Sequence, residues 1–337
     1  MTSTDTFSGH AAGYPRLVAD IGGSNARFGW IDLPGADVAH VRKLPVPGYD
    51  SPAGAVRAYL AELAPVLGTA FRSPRQAALA VATPVEGDQI RFTNSHWSFS
   101  RRGLQHELGL AGLQVLNDFE ALALALPHLK PAQLRAHGAL PRADGGVLAV
   151  VGPGTGLGVA GVVRTRAGWQ ALPGEGGHST LAAGDDFEAE VLRAARAQHG
   201  HVSAERLLSG IGLPTLHQAV AAALDRPTGV MSAEQVVEQG GDGADPLCAR
   251  TLDTFCALLG SFAGNVALTL GARGGVFIGG GIVPRIAERF FASAFRERFE
   301  AKGRMRPYVE SIPTALITDT LVALTGCAAG IEPVAGE

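Results

Sequence analysis

The sequence predicts an α/β protein of two domains, and three observations carry that prediction. Short apolar runs with strand-like patterning alternate with helix-like runs through the first half. At Val147 the pattern restarts with an apolar run, a glycine turn and a second apolar run. The chain has 337 residues, which suits two domains at roughly 100 to 200 residues each better than a single core.

Taken in order, strand-like runs fall at 17–20, 26–31, 38–45, 77–82, 89–93 and 113–117. Between them Ser51 precedes one helical run and Ser100 another, since a serine hydroxyl can accept the open N–H groups of a first turn. An Ala/Leu-rich helix follows at 119–126. The restart, "VLAVVGPGTGLGVAGVV", echoes "LVADIGGSNARFGWIDL" in form, so an internal duplication is expected. Helices then follow at 185–198, 204–208, 213–224, 233–239 and 246–270. "GGVFIGGGIVPRIAERF" reads as strand, glycine turn and helix, with Pro284 in the first helical turn. A strand at 313–317 and a helical tail at 321–329 close the pattern. No low-complexity linker parts the halves, so they are expected to share an interdomain cleft.

Composition narrows the function. With 28 basic and 31 acidic residues and no basic run, nothing points to nucleic acid or an anionic membrane surface. The apolar stretches at 77–82 and 147–151 are far shorter than the roughly 20 residues a bilayer requires, so no membrane partner is expected. Residues 1–15 are polar and lack the apolar core of a signal peptide. Cys248, Cys256 and Cys327 form no Cys-x-x-Cys pair and are too few for a disulfide framework, which fits a reducing cytoplasm.

The glycine turns do not match the common nucleotide signatures. Gly-x-x-x-x-Gly-Lys-Ser/Thr is absent, and neither "GPGTGLG" nor "GGGIVP" is a Gly-x-Gly-x-x-Gly leading from strand to helix. Gly22, Gly23, Ser24 and Asn25, and again Gly154, Thr155 and Gly156, instead join strand to strand. Successive N–H groups in such turns can cradle an anion, and glycine lets a phosphate approach; ordinary hairpin turns are the plainer reading. Two turns with a hydroxyl each, plus Gly279, Gly280 and Gly281, favour phosphate. Asp20, a carboxylate closing an apolar strand, either pairs with Arg27 or faces Mg²⁺. In "VLNDFEALALALP", Asn117 and Asp118 stand where a strand gives way to a helix. There Asp118 can take a hydroxyl proton during phosphoryl transfer, or the pair can simply cap the helix. "LPGEGGHST" offers Glu175 and His178 to sugar hydroxyls rather than to a metal, since hard Mg²⁺ does not select imidazole.

Together these segments resemble the bacterial glucokinases of the hexokinase superfamily, over about 17–330. The resemblance implies the two-domain actin-like, ribonuclease H-like ATPase fold. "DIGGSNARF" resembles the first phosphate motif, with Ser24 where Thr is usual. "VVGPGTGLGVA" resembles the second, and "GGVFIGGGIVPR" the nucleotide-side motif. "LPGEGGHS" and "HVSAERLLSGIGL" resemble sugar-binding segments. The resemblance implies Asp118 as general base, and Asn117, Glu175, His178, Glu205 and, from "TNSHW", Asn94 as partners of glucose hydroxyls. It assigns Asp20 to Mg²⁺, directly or through water, and implies ATP as donor, glucose as acceptor, and a homodimer. It divides the chain as 1–127 with 320–337 around a central 128–319. The related sugar kinases and repressors with a zinc motif match less well, because no cysteine lies between His178 and Cys248; fifteen leading residues are too few for a helix-turn-helix. Two rivals are a kinase for mannose, fructose or an amino sugar, and a nucleotide switch like actin or the chaperone ATPases.

Overall fold

The structure, a computed structural model, describes residues 13–92 and 94–331. The chain separates into two compact units: the residues up to Ala125 with those from Leu321 onward, and Leu126–Thr320.

In the first unit, β1 (Arg16–Ile21), β2 (Asn25–Ile31) and β3 (Ala39–Pro45) form an antiparallel meander. The chain continues through α1 (Pro52–Leu67), β4 (Gln76–Val81), a ribbon of β5 (Gln89–Arg91) and β6 (Ser98–Ser100), α2 (Arg101–Glu107), β7 (Gly112–Asn117) and α3 (Asp118–Ala125). The main sheet has the order β3-β2-β1-β4-β7, with β4 and β7 parallel to β1. All six residues of β4, Gln-Ala-Ala-Leu-Ala-Val, are buried, as expected of a central parallel strand covered on both faces. Ser51 Oγ accepts from the Gly54 N–H at 3.2 Å and opens α1, while Ser100 Oγ accepts from the Gly103 N–H at 2.9 Å and opens α2. Phe28, Trp30, Tyr59, Ile90 and Trp97 fill this core. The expected strand at 89–93 is shorter, and Thr93 lies outside the described residues.

The second unit contains β8 (Leu134–His137), β9 (Leu148–Pro153), β10 (Leu157–Thr165) and β11 (Gly168–Gly174). Then come α4 (Asp186–Gln198), α5 (Leu213–Ala223), α6 (Ala233–Gly241) and α7 (Pro246–Leu270). After β12 (Gly275–Ile278) follow α8 (Ala287–Ala292), α9 (Phe295–Glu300), α10 (Arg306–Glu310) and β13 (Thr314–Ile317). The sheet order is β11-β10-β9-β12-β13-β8. Its first five strands repeat the first unit: a three-stranded meander whose first strand pairs with a parallel strand, which pairs with another. The duplication that the two hairpin motifs suggested is therefore present in the topology, with β8 added at the edge.

One sequence expectation fails here: residues 204–208 form turns, not a helix. Ala204, Leu207 and Leu208 are buried at the i, i+3 and i+4 spacing of one helical face, which is the pattern the sequence shows. The Ala204 and Glu205 N–H groups donate to the Ser179 and Gly177 carbonyls, and within the segment the Leu208 N–H alone reaches back four residues, to Ala204. Beyond it the Ser209 hydroxyl donates to the Glu205 carbonyl at 2.7 Å and accepts from the Gly212 N–H at 3.0 Å, so the segment closes as a single turn. Short contiguous apolar runs also hid one feature of α7. Among the described residues it is the one helix long and apolar enough to cross a bilayer, yet 83% of its most apolar window is buried in the protein. Its length is reached by interleaving Thr, Ser, Gly and Asn, the composition of a core helix packed on several sides. Finally, α11 (Val322–Ala329) packs on α3 and β1. A Cβ at Gly326 would lie 1.6 Å from the Ala121 carbonyl oxygen, so the helices meet backbone to backbone. The tail from 332 onward lies outside the described residues.

Candidate active site

In the first unit, register brings the ends of three parallel strands level: Ile21 pairs with Val81, and Val81 with Asn117. Ligands of open α/β sheets gather at this carboxyl edge. Asp20 reaches it one residue before β1 ends, and Asp118 one residue after β7 ends.

Asp20 pairs across the hairpin with Arg27, whose Nη1 donates to Oδ2 at 3.1 Å. Burial nonetheless holds its carboxyl above the usual carboxylate range, with Arg27 opposing that shift. The turn beyond it, Gly22-Gly23-Ser24, closes with the Gly22 N–H donating to the Asn25 carbonyl at 2.9 Å. Ser24 is exposed. A Cβ on Gly23 would fall 2.5 Å from the Asn94 carbonyl oxygen, so the Asn94 segment lies directly on the turn.

Asn117 is the helix cap: its Oδ1 accepts from the Phe119 N–H at 2.9 Å, and Glu120 Oε2 accepts from the Asn117 N–H at 3.4 Å. Its Nδ2 donates to the Thr83 carbonyl at 3.3 Å, and the Thr83 hydroxyl donates to the Arg91 carbonyl at 2.8 Å. Thr83 is a participant that the sequence did not reveal; a buried threonine before Pro84 at the end of β4 was the available signal. Capping leaves Asp118 at the first position of α3, where its Oδ1 accepts from the Phe119 N–H at 3.0 Å. Burial pushes the Asp118 carboxyl up to about 6, and the negative charge of Asp20 adds to that shift against the Phe119 bond. A carboxylate with this affinity for a proton is suited to general-base work near neutral pH.

In the second unit, the turn Gly154-Thr155-Gly156 closes with the Gly154 N–H donating to the Gly156 carbonyl at 2.9 Å. A Cβ on Gly154 would meet nothing within 4 Å, so the turn is open at that residue. The Gly279-Gly280-Gly281 turn lies against the end of β9: the Gly279 N–H donates to the Val151 carbonyl and the Ile282 N–H to the Pro153 carbonyl. Gly280 has φ +75, and a Cβ there would sit 2.2 Å from the Pro153 carbonyl oxygen. The two glycine turns expected on the nucleotide side are therefore neighbours.

Glu175, His178 and Glu205 also come together in this unit. His178 Nε2 is 3.8 Å from Glu175 Oε2, and its Nδ1 is 3.9 Å from Glu205 Oε1. The side chains of Glu175 and His178 are exposed. Such a set offers donors and acceptors at several angles, as a polyhydroxylated ligand requires. Among the described residues no group of three or more His, Cys, Asp or Glu is arranged to hold a metal.

Known proteins share this plan along almost the whole chain. The family model for glucokinase matches residues 17–333. The chain is 47% identical over 325 residues to a glucokinase of Aromatoleum aromaticum, covering 96% of this chain and 97% of the relative. It is 49% identical over 317 residues to a glucokinase of Chromobacterium violaceum, covering 94% and 89%. Among solved structures, a glucokinase from an Antarctic psychrotroph superposes with a TM-score of 0.86 at 39% identity, covering 94% of this chain and 98% of that one. The fold is that of the actin-like sugar kinases, and with a family match that takes in both hairpin turns, the Asp118 edge and the Glu175–His178 loop, the chain belongs to the glucokinase family.

Proposed function

We propose that the protein transfers the terminal phosphoryl group of ATP to the 6-hydroxyl of glucose, with Asp118 as general base. The observation that carries the catalytic assignment is the environment of Asp118: a carboxylate at the carboxyl edge of the sheet, fixed by the Phe119 N–H and pushed up to about 6. Such a group accepts the hydroxyl proton as the oxygen attacks phosphorus, which keeps the nucleophile from accumulating positive charge. Asn117 sets the position of Asp118 through its cap and, with Asn94, Glu175, His178 and Glu205, is assigned to the sugar hydroxyls. Gly22, Gly23, Ser24 and Asn25, Gly154, Thr155 and Gly156, and Gly279, Gly280 and Gly281 are assigned to the nucleotide.

The residues of the first unit fit Mg²⁺. Asp20 and Asp118 repel each other at one sheet edge, an arrangement that a cation relieves. Nucleotide-bound Mg²⁺ takes only one or two protein carboxylates and keeps several waters, so it needs no three-residue cluster. Asp20 would hold it directly or through water, and the ion would neutralise charge on the phosphates. Arg27 restrains the Asp20 carboxylate meanwhile. We read the enzyme as cytoplasmic, because Cys248, Cys256 and Cys327 are all free thiols, and as a homodimer on family resemblance.

The test is ADP release from ATP and Mg²⁺ with glucose, mannose, fructose or N-acetylglucosamine, and with no sugar. Strong stimulation by glucose supports the assignment. Preference for another sugar moves the acceptor, and turnover indifferent to all of them removes the kinase reading.

A further inference from the structure

The carboxylate of Glu205 faces two ways. Its Oε1 lies 3.9 Å from His178 Nδ1, on the side assigned to sugar. Its Oε2 accepts from the Leu157 N–H at 2.9 Å, at the residue that follows Gly154-Thr155-Gly156. A Cβ on Gly156 would come within 2.4 Å of that same oxygen, so the carboxylate lies directly on the turn and only glycine admits it. The backbone repeats the connection. The Glu205 N–H donates to the Gly177 carbonyl at 2.8 Å, inside the Glu175–His178 loop. Five residues later the Gly210 N–H donates to the Gly154 carbonyl at 2.8 Å, and the Ile211 N–H to the Thr155 carbonyl at 3.2 Å. One short segment, with its shape fixed by Ser209, is therefore bonded to the sugar loop at one end and to the phosphate turn at the other.

We propose that Glu205, beyond contacting the sugar, is the positioning residue that couples acceptor and donor binding: in the sugar-free protein its negative charge sits on the phosphate turn and opposes the nucleotide, and sugar hydroxyls relieve that opposition. The proposal rests on the glucokinase reading above. An anion bonded to the Leu157 N–H occupies one donor of the turn and raises the electrostatic cost of bringing in phosphate oxygens. Hydroxyls donating to Oε1 draw charge toward the sugar and lower that cost. Linkage then requires that nucleotide favour sugar binding by the same factor. The consequence is that ATP binds well only when an acceptor other than water is in place.

The test is calorimetric titration of AMPPNP in Mg²⁺ buffer, without glucose and with glucose saturating for each variant, using the full chain. In the wild type, glucose should tighten AMPPNP binding by about fivefold or more, within the usual range of coupling between sites. E205Q keeps an acceptor for the Leu157 N–H and removes the charge. It should bind AMPPNP more tightly than wild type without glucose, and glucose should then change that affinity by less than about twofold. G156A keeps the charge but crowds the carboxylate off the turn, and should lose the coupling in the same way. Its result stands independently if E205Q fails to fold by circular dichroism. A wild type with no coupling, or an E205Q with the wild-type ratio, overturns the proposal and leaves the glucokinase reading standing. A wild type that neither binds nor phosphorylates glucose overturns the functional reading itself, and the proposal falls with it.

Discussion

Asp20, near the end of β1, and Asp118, at the start of α3, stand at the same edge of one sheet, where the charge of the first opposes ionisation of the second. Each is also restrained by a donor: Arg27 for Asp20, the Phe119 N–H for Asp118. Two half-buried like charges are a costly arrangement for stability alone, and the cost is intelligible where one carboxylate serves a cation and the other a proton.

Removing the base separates chemistry from binding. D118A should lower kcat by about 10² to 10⁴-fold, the usual contribution of a positioned general base, and leave the glucose KM within a few-fold of wild type. Steady-state kinetics over both substrates checks this. Near-normal turnover would remove Asp118 from the proton transfer.

Burial of Asp118 also sets a pH dependence. Its carboxyl must be ionised to accept a proton, so kcat/KM should fall as pH drops through about 6, and D118A should lack that limb. Stability runs the other way. The folded value is raised above the ordinary 3.8, so the fold favours the protonated form. That contribution is fully present below the ordinary value and is lost as pH rises through about 6. At pH 7, ionised Asp118 therefore costs about 2 to 3 kcal/mol, and D118N should raise Tm while abolishing activity. A lowered Tm for D118N would show that the carboxylate is not strained in the folded protein.

Asp20 carries the metal assignment. D20N should raise the Mg²⁺ concentration needed for half-maximal velocity by about tenfold, the loss expected for a single charge-assisted ligand of roughly 1.5 kcal/mol. A Mg²⁺ titration at fixed ATP reads it directly. An unchanged Mg²⁺ requirement would leave Asp20 as a structural partner of Arg27 only.

Glu175 should act on the sugar and not on the nucleotide. E175A is expected to raise the glucose KM by about tenfold, from one lost hydrogen bond to a charged group, with the ATP KM little changed. If the ATP KM rises as much as the glucose KM, the loop does not serve the acceptor.

A change remote from the chemistry provides the contrast. S51A removes the cap of α1 and should lower stability by about 1 kcal/mol in denaturant unfolding, leaving kcat and both KM values unchanged. Altered kinetics would mean that α1 is coupled to the active edge.

The sequence by itself determined the elements whose signals are local. The apolar runs, Ser51 and Ser100 as caps, the long helix at 246–270 and both hairpin turns follow from patterning and backbone chemistry within a few residues. It also offered Asp20 and Asp118 at strand ends and Glu175 and His178 in a glycine-rich loop as chemical candidates, while Glu205 entered through the resemblance to the glucokinases. Tertiary structure decided what spans long separations. The segment at 204–208 has a helical pattern and buries Ala204, Leu207 and Leu208, but its Ala204 and Glu205 N–H groups bond to the Ser179 and Gly177 carbonyls of a distant loop, so tertiary contacts overrode propensity. The bond from Arg27 to Asp20, which the sequence offered beside a Mg²⁺ role, is made by the register of β1 and β2. The Asn117 cap likewise gained its second anchor at Thr83, 34 residues away. Nothing local announces that Glu205 rests on the Leu157 N–H, since that bond exists only because the chain folds back over a separation of 48 residues to present it. Local chemistry is written in neighbouring residues, whereas the partner of a buried charge is chosen by whichever donor the completed fold brings within reach.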